Sequence, residues 1–277
     1  MFNNAPLVQS SAIYVALNAL GFLISVVTGS HLHLDLIGTG AFAVASIPSL
    51  LSSTCSRITL SAASVTIWGT KLAGFLFFRA LKLKTDFRLE EMLSSTSGTA
   101  VFWTISFVWG LVCSLPHTLG TTSSAEGNPI TLAIGFGMYA LGLATETKSD
   151  FQKWIFKQNN PGKYCNDGLW SVSQHPNFFG NLLMWTGILV MNADGLIDTS
   201  RTDEGILATL YGSRRLILAC LSPLFLWTLF SGQANGDMTS AVELAQKKYG
   251  NDEGYLRSLE LPKIVPNVFA WLKKLFT

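Results

Sequence analysis

The residues whose types and spacing could do chemistry are Glu146, Asp150 and Lys153, followed by His175, Asn177 and Asn181. Glu146 and Asp150 are four apart and Lys153 lies three beyond Asp150, so on a helix they share one face. His175-Pro176-Asn177 interrupts the apolar run GLWSVSQHPNFFGNLLMWTG. Imidazole, amide and proline rarely meet in membrane-embedded sequence without a reason. The region around Pro176 is expected to start or kink a helix, and a kink there would free a backbone carbonyl near position 172 and open the ladder where a ligand could bind. Such a set suits a nucleotide: Lys and Arg for phosphates, carboxylates for ribose hydroxyls, Asn or Gln for a carboxamide. The same residues also suit the wet end of a span held by interfacial ion pairs, and spacing alone does not choose between the two.

Other chemistries are poorly served. Neither GxGxxG nor GxxxxGK occurs, so any nucleotide must be held by side chains between helices. His31, His33 and Asp35 could surround an ion, but an interfacial turn explains them, HExxH is absent and His117 is remote; no metal is expected. Cys55, Cys113, Cys165 and Cys220 form no CxxC pair and read as small buried hydrophobes. A net charge of +2, spread along the chain, does not suggest nucleic-acid binding.

The elements that must position these residues are membrane helices. Charged residues make up 13% of the 277 and hydrophobic ones 49%, with eight Trp and eighteen Phe; a soluble domain carries about 25% charge. Runs near the 20 apolar residues that a crossing needs are Leu7–Thr28, Leu36–Ser53, Ile58–Leu81, Ala100–Leu119, Pro129–Thr145, Leu169–Met191 and Leu216–Gly232. The expectation is an all-α, polytopic membrane bundle of about seven spans, forming a single domain over residues 1–277. The first run lacks a basic leader and is expected to be retained. Gly135, Gly137 and Gly142 allow a neighbour to approach the short fifth run. Seven spans place Arg79, Lys82, Lys84 and Arg88, then Lys148, Lys153, Lys157 and Lys163, then the basic tail on one face, cytosolic by the positive-inside rule. Asp194, Asp198, Asp203 and Glu204 fall opposite, with Arg201, Arg214 and Arg215 opposing the trend. The amphipathic tail Val268–Phe276 is expected on the membrane surface.

An ordered series of motifs, covering nearly the whole chain, resembles the DUF1295 family. That family is similar to the C-terminal part of steroid 5-alpha-reductases and, more broadly, to sterol reductases and isoprenylcysteine methyltransferases. Its motifs are matched by Asp35-Leu36-Ile37-Gly38, by Trp68-x-x-Lys71-Leu72 with Arg79 and Asp86-Phe87-Arg88, and by Trp109 with Leu115-Pro116. Glu146-x-x-x-Asp150-x-Gln152-Lys153-x-x-Phe156-Lys157, Gly168-Leu169-Trp170, Ser222-Pro223-Leu224-Phe225 and Lys248-Tyr249-Gly250 continue the match. The centre departs from it. The family pattern S-R-H-P-N-Y-x-G-E here reads Ser173-Gln174-His175-Pro176-Asn177-Phe178-Phe179-Gly180-Asn181, losing a cation, a phenol and a carboxylate. Joint replacement of Arg and Glu by two amides reads as the removal of a buried ion pair.

The resemblance implies an NADPH-dependent reductase of a conjugated carbon–carbon double bond in a steroid or other lipid-like substrate, reached from the bilayer. It implies Glu146 as the catalytic acid or orienter, and Lys71, Arg79, Asp86, Arg88, Asp150, Lys153, His175, Asn177 and Asn181 at the cofactor. The alternatives are an S-adenosylmethionine-dependent methyltransferase and an inactive lipid-binding protein. The expected setting is the endoplasmic reticulum, or else a plastid membrane.

Overall fold

The computed structural model describes residues 3–83, 90–198, 205–238 and 240–277. Asp86 and Arg88, with Lys84, Arg201, Asp203 and Glu204, lie outside the described residues. The described residues are helical, without strands. In order the helices are α1 (Ala5–Thr28), α2 (Leu34–Ser52), α3 (Ser56–Leu83), α4 (Glu90–Leu93), α5 (Thr96–Gly120), α6 (Pro129–Asn159), α7 (Pro176–Leu196), α8 (Ile206–Gly212), α9 (Arg214–Ala219), α10 (Leu221–Asn235), α11 (Ala241–Tyr249), α12 (Glu253–Ser258) and α13 (Val268–Phe276).

Six described segments are long and apolar enough to cross a bilayer: α1, α2, α3, α5, α6 and Arg214–Asn235. The chain is a multi-pass membrane protein. The helix in the expected sixth place differs from the other spans. It starts at Pro176 rather than Leu169, and Asn177, Asn181, Asn192 and Asp194 dilute its apolar character. Met184, Trp185, Ile188 and Met191 on it are nonetheless buried, so α7 is a core element. The expected run Leu216–Gly232 is divided at Cys220 between α9 and α10. Pro223 accounts for the break, because it lacks an N–H for the Ala219 carbonyl and its ring crowds that turn.

The chain forms two compact units, Met1–Gly135 with Ile188–Ser222, and Phe136–Gly187 with Pro223–Thr277. In the first, α1 packs on α2 and α5, and α2 packs along α3. The buried positions of α1 are Ser10, Tyr14, Asn18, Gly21 and Ser25, while Val8, Val15, Leu23, Val27 and other apolar residues face outward. Small and polar residues at helical spacing let neighbouring helices approach, and the apolar face is left for lipid. Gly21 fits this role: a Cβ there would run into the Trp103 ring, whose Nε1 donates to Ser25 Oγ at 3.1 Å. Phe42 centres the aromatic core, edge-on to Tyr14, Trp68 and Trp109 at centroid distances of 5.5, 5.0 and 4.8 Å. His33 is engaged here too, with Nε2 2.9 Å from the Gly21 carbonyl and its ring stacked on Trp103.

In the second unit, the core joins Leu169, Trp271 and Leu275, with Leu141, Phe179 and Leu183 packed against them. The tail forms a helix whose face bearing Trp271 and Leu275 packs into protein while Phe269 and Phe276 remain exposed. Trp271 Nε1 donates to Thr145 Oγ1 at 3.0 Å, and Lys148 Nζ donates to the Leu275 carbonyl at 2.9 Å.

Candidate functional site

Two glycines bring α6 and α7 into backbone contact. A Cβ on Gly142 would lie 2.5 Å from the Met184 nitrogen and 2.6 Å from the Gly180 carbonyl oxygen; one on Gly180 would lie 2.5 Å from the Glu146 nitrogen. Gly142 thus fulfils the expected close approach, whereas Gly137 faces nothing within 4 Å. The crossing sets Glu146 beside α7. Glu146 is 4% exposed and Asn181 6%, and Asn181 Nδ2 donates to Glu146 Oε1 at 2.7 Å. That bond fixes the amide's orientation, because only the nitrogen end can serve a carboxylate. Asn181 Oδ1 then points away, buried and without a partner among the described residues, and Asn177 Oδ1, one turn earlier, is in the same position. Buried amide oxygens normally have donors. These two form a pair of acceptors on one face of α7, beside a carboxylate.

The connector before α7 is tied to the end of the chain. Ser173 Oγ donates to the Ile264 carbonyl at 2.9 Å, while the Gln174 nitrogen and Nε2 donate to the Pro262 and Leu261 carbonyls at 3.0 and 2.9 Å. The backbone N–H of His175 donates to Ser173 Oγ at 3.2 Å. The helix begins immediately afterwards, with Pro176 at a position where a missing N–H costs nothing. The expected opening at Pro176 is therefore a helix start, not a mid-helix kink.

His175 lies outside the six apolar segments and is half-buried. Its ring stacks on Phe178 at 4.7 Å, and Phe178 stacks on Phe230 at 4.5 Å. Desolvation, with Lys153 and Lys263 nearby, lowers its pKa from 6.5 to about 4, so it is neutral at physiological pH. Lys153 is solvent-exposed but places Nζ 4.0 Å from the centroid of the Trp170 ring, and Trp170 Nε1 donates to the Ser149 carbonyl at 2.8 Å. Asp150 follows Glu146 by one turn of α6 and is half-buried. Lys71 and Arg79 are half-buried on α3, in the first unit.

The three departures from the family's central pattern each have a use. Phe178 completes a stack of rings, Gln174 latches onto the tail, and Asn181 supplies the donor that Glu146 requires. Gln174 and Asn181 bond to separate partners, Leu261 and Glu146. The latch on 261–264 and the Trp271–Thr145 contact were not legible beforehand; their one sequence signal is the placement of Leu261-Pro262 and Val265-Pro266. A second feature nearby is a cleft of about 310 Å³ lined by residues including Tyr164, Asn166 and Asp252. Asp252 is held below the ordinary carboxylate range: desolvation opposes this, but backbone N–H groups of Tyr255, Tyr164 and Gly254 outweigh it, helped by Lys157. Among the described residues, no group of three His, Cys, Asp or Glu could hold a metal ion.

Comparison with known proteins adds to this geometry. Residues 21–257 match the family described as "Protein of unknown function (DUF1295)". The chain belongs to the DUF1295 family. It is also similar to a protein of Ustilaginoidea virens named "Probable O-methyltransferase ustE", 34% identical over 85 residues. That stretch is 29% of this chain and 30% of the relative, so the likeness covers under a third of either. No solved structure matches. The chain is thus a DUF1295 membrane protein built as a bundle of helices.

Proposed function

We propose that this DUF1295 protein is an NADPH-dependent membrane oxidoreductase that reduces a conjugated carbon–carbon double bond of a steroid or other lipid-like substrate. The observation that carries the reading is the buried Glu146 carboxylate, held by Asn181 beside two acceptor oxygens that lack donors among the described residues. Those oxygens fit a cofactor carboxamide, whose N–H groups Asn177 and Asn181 would accept. NADPH would supply the hydride. Lys153, three residues beyond Asp150, is the basic candidate for a phosphate, because Gln174, where the resembled pattern has Arg, is neutral and committed to Leu261. Asp150 is assigned to the ribose; for Lys71, Arg79, Asp86 and Arg88 a cofactor role rests on the family resemblance alone. In its protonated form Glu146 donates to the substrate carbonyl or delivers the proton that accompanies reduction, and neutral His175 packs against the cofactor end. Cofactor entry from the cytosolic face and residence in the endoplasmic reticulum, or a plastid membrane, belong to the same reading.

A second reading rests on the relative named as an O-methyltransferase. Here S-adenosylmethionine is the cofactor, its ammonium and adenine amino groups meet the Asn177 and Asn181 oxygens, and Glu146 or His175 accepts the proton of the methylated hydroxyl. The third alternative, a lipid-binding protein without catalysis, needs neither cofactor.

The test is thermal stabilisation of the purified full chain by NADPH and by S-adenosylmethionine, followed by turnover of Glu146→Gln. A ligand at about 100 times its Kd stabilises by about 2.7 kcal/mol. Stabilisation by NADPH alone, with a Glu146→Gln variant that folds, still binds NADPH and turns over about 100-fold more slowly, is expected. Stabilisation by S-adenosylmethionine alone transfers the assignment to a methyltransferase. No response to either leaves the binding protein.

A further inference from the structure

A second polar system lies inside the first unit, and the family motifs do not account for it. Arg57, at the start of α3, is 1% exposed. Its Nε donates to the Ala125 carbonyl at 2.8 Å, Nη2 donates to the Ser123 carbonyl at 2.7 Å, and both terminal nitrogens reach the Gly120 carbonyl at 3.2 Å. Nη1 also donates to Asn192 Oδ1 at 2.7 Å. The bare backbone at Gly120 and Gly195 makes room for this: a Cβ at either would run into Asn192 or the guanidinium.

The chain of bonds has one direction. Arginine only donates, so the Asn192 amide must present its oxygen to Arg57 and its nitrogen elsewhere. That nitrogen donates to Ser61 Oγ at 2.8 Å and to the Ile188 carbonyl at 2.9 Å. Ser61 Oγ, already accepting, has one proton to give, and His117 Nδ1 stands 2.9 Å away. Among the described residues Nδ1 is the acceptor within reach of that proton, and a donating Nδ1 would leave the hydroxyl's hydrogen unspent; with Nδ1 accepting, the ring carries its proton on Nε2. His117 is 2% exposed, and its Nε2 has no partner among the described residues. Arg57 thus sets the polarity of three further side chains and aims an N–H donor into the interior of the unit.

We propose that His117 Nε2–H is the anchor of a buried site for a neutral oxygen acceptor, with Arg57, Asn192 and Ser61 as its positioning residues. In a segment apolar enough to lie in lipid, a neutral oxygen is favoured over an anion, which would need a cation that Arg57, already saturated, does not provide. The acceptor is the carbonyl of a lipid-like molecule or a resident water; both present the same lone pair. The proposal does not depend on the α6–α7 site.

The test is a tautomer measurement on the full chain in lipid nanodiscs, with ¹⁵N-labelled histidine. The His117 signals are assigned by elimination with His31→Gln, His33→Gln and His175→Gln. The expected tautomer is Nε2–H. Its proton exchanges with water, or its nitrogen shifts on adding 2-tridecanone but not tridecane; the first result identifies resident water and the second a carbonyl ligand. Asn192→Asp keeps the shape but only accepts, so it reverses the chain and moves the proton to Nδ1. An Nδ1–H tautomer in the parent, an Nε2–H that responds to neither water nor ketone, or an Asn192→Asp variant with an unmoved proton overturns the proposal.

Discussion

Asn181 donates its amide N–H to the Glu146 carboxylate across 2.7 Å, joining α7 to α6 one residue beyond the Gly180 contact. A Glu at this position would set two carboxyl groups against each other, whereas the amide gives a donor to one oxygen. A hydrogen bond to a carboxylate is worth about 1.5–3 kcal/mol, and the burial of both partners puts this one in the upper part of the range. Asn181→Ala should therefore lower stability by about 3 kcal/mol in a denaturation series. In the Glu146→Gln background the same substitution should cost under half as much. Equal losses in both backgrounds would show that the two side chains are not coupled.

Gly180→Ala tests the crossing itself. The new methyl would press on the Glu146 backbone, where no side-chain rotation relieves it. Overpacking of this kind costs about 1–3 kcal/mol. The expected outcome is a lower melting temperature together with weakened cofactor binding, whereas Gly137→Ala, with open space around it, should leave both unchanged.

The depressed pKa of His175 makes a statement about acid stability. The folded state holds the ring neutral down to about pH 4, while the unfolded chain takes up a proton near 6.5. The stabilisation is thus fully present above about 6.5 and is lost as pH falls from there through 4. Melting temperature should fall across that window in the parent and fall less in His175→Gln. Parallel curves for the two proteins would remove the histidine from the explanation.

The latch offers a local readout. Ser173→Ala removes the donor to Ile264, and Gln174→Ala removes the donor to Leu261. Each bond is worth about 0.5–1.5 kcal/mol net, so roughly tenfold faster hydrogen exchange is expected around residues 260–267. Exchange in α1 and α2 should stay at the parent rate.

Much of this architecture can be read from hydropathy alone, because α1, α2, α3, α5 and α6 are long apolar runs with polar punctuation. The whereabouts of the polar set was legible too, since carboxylate, imidazole and amide are costly in an apolar run. What could not be read is pairing. Gln174 finds its acceptor at Leu261 and Arg57 finds Asn192, 87 and 135 residues away in sequence, and local spacing does not encode such meetings. The core helix α7 starts at Pro176, as the proline leads one to expect, while the apolar run extends back to Leu169: Leu169 and Trp170 form a separate 3₁₀ turn ahead of the latch. Arg57 itself carried a signal, a lone cation at the head of an apolar run.

The docking of α13 also has a consequence in time. Thr145 and Lys148 sit on the segment that carries Glu146, yet their partners Trp271 and Leu275 are synthesised 126 and 127 residues later. At about 5–20 residues per second, that interval lasts roughly 6–25 s. During it α6 must wait in the translocation machinery or the bilayer with Lys148 unmatched. The carboxylate region is thus completed late in translation, and a ribosome stalled ahead of Trp271 would display a nascent chain with its first unit's helices made and its Glu146 region unfinished.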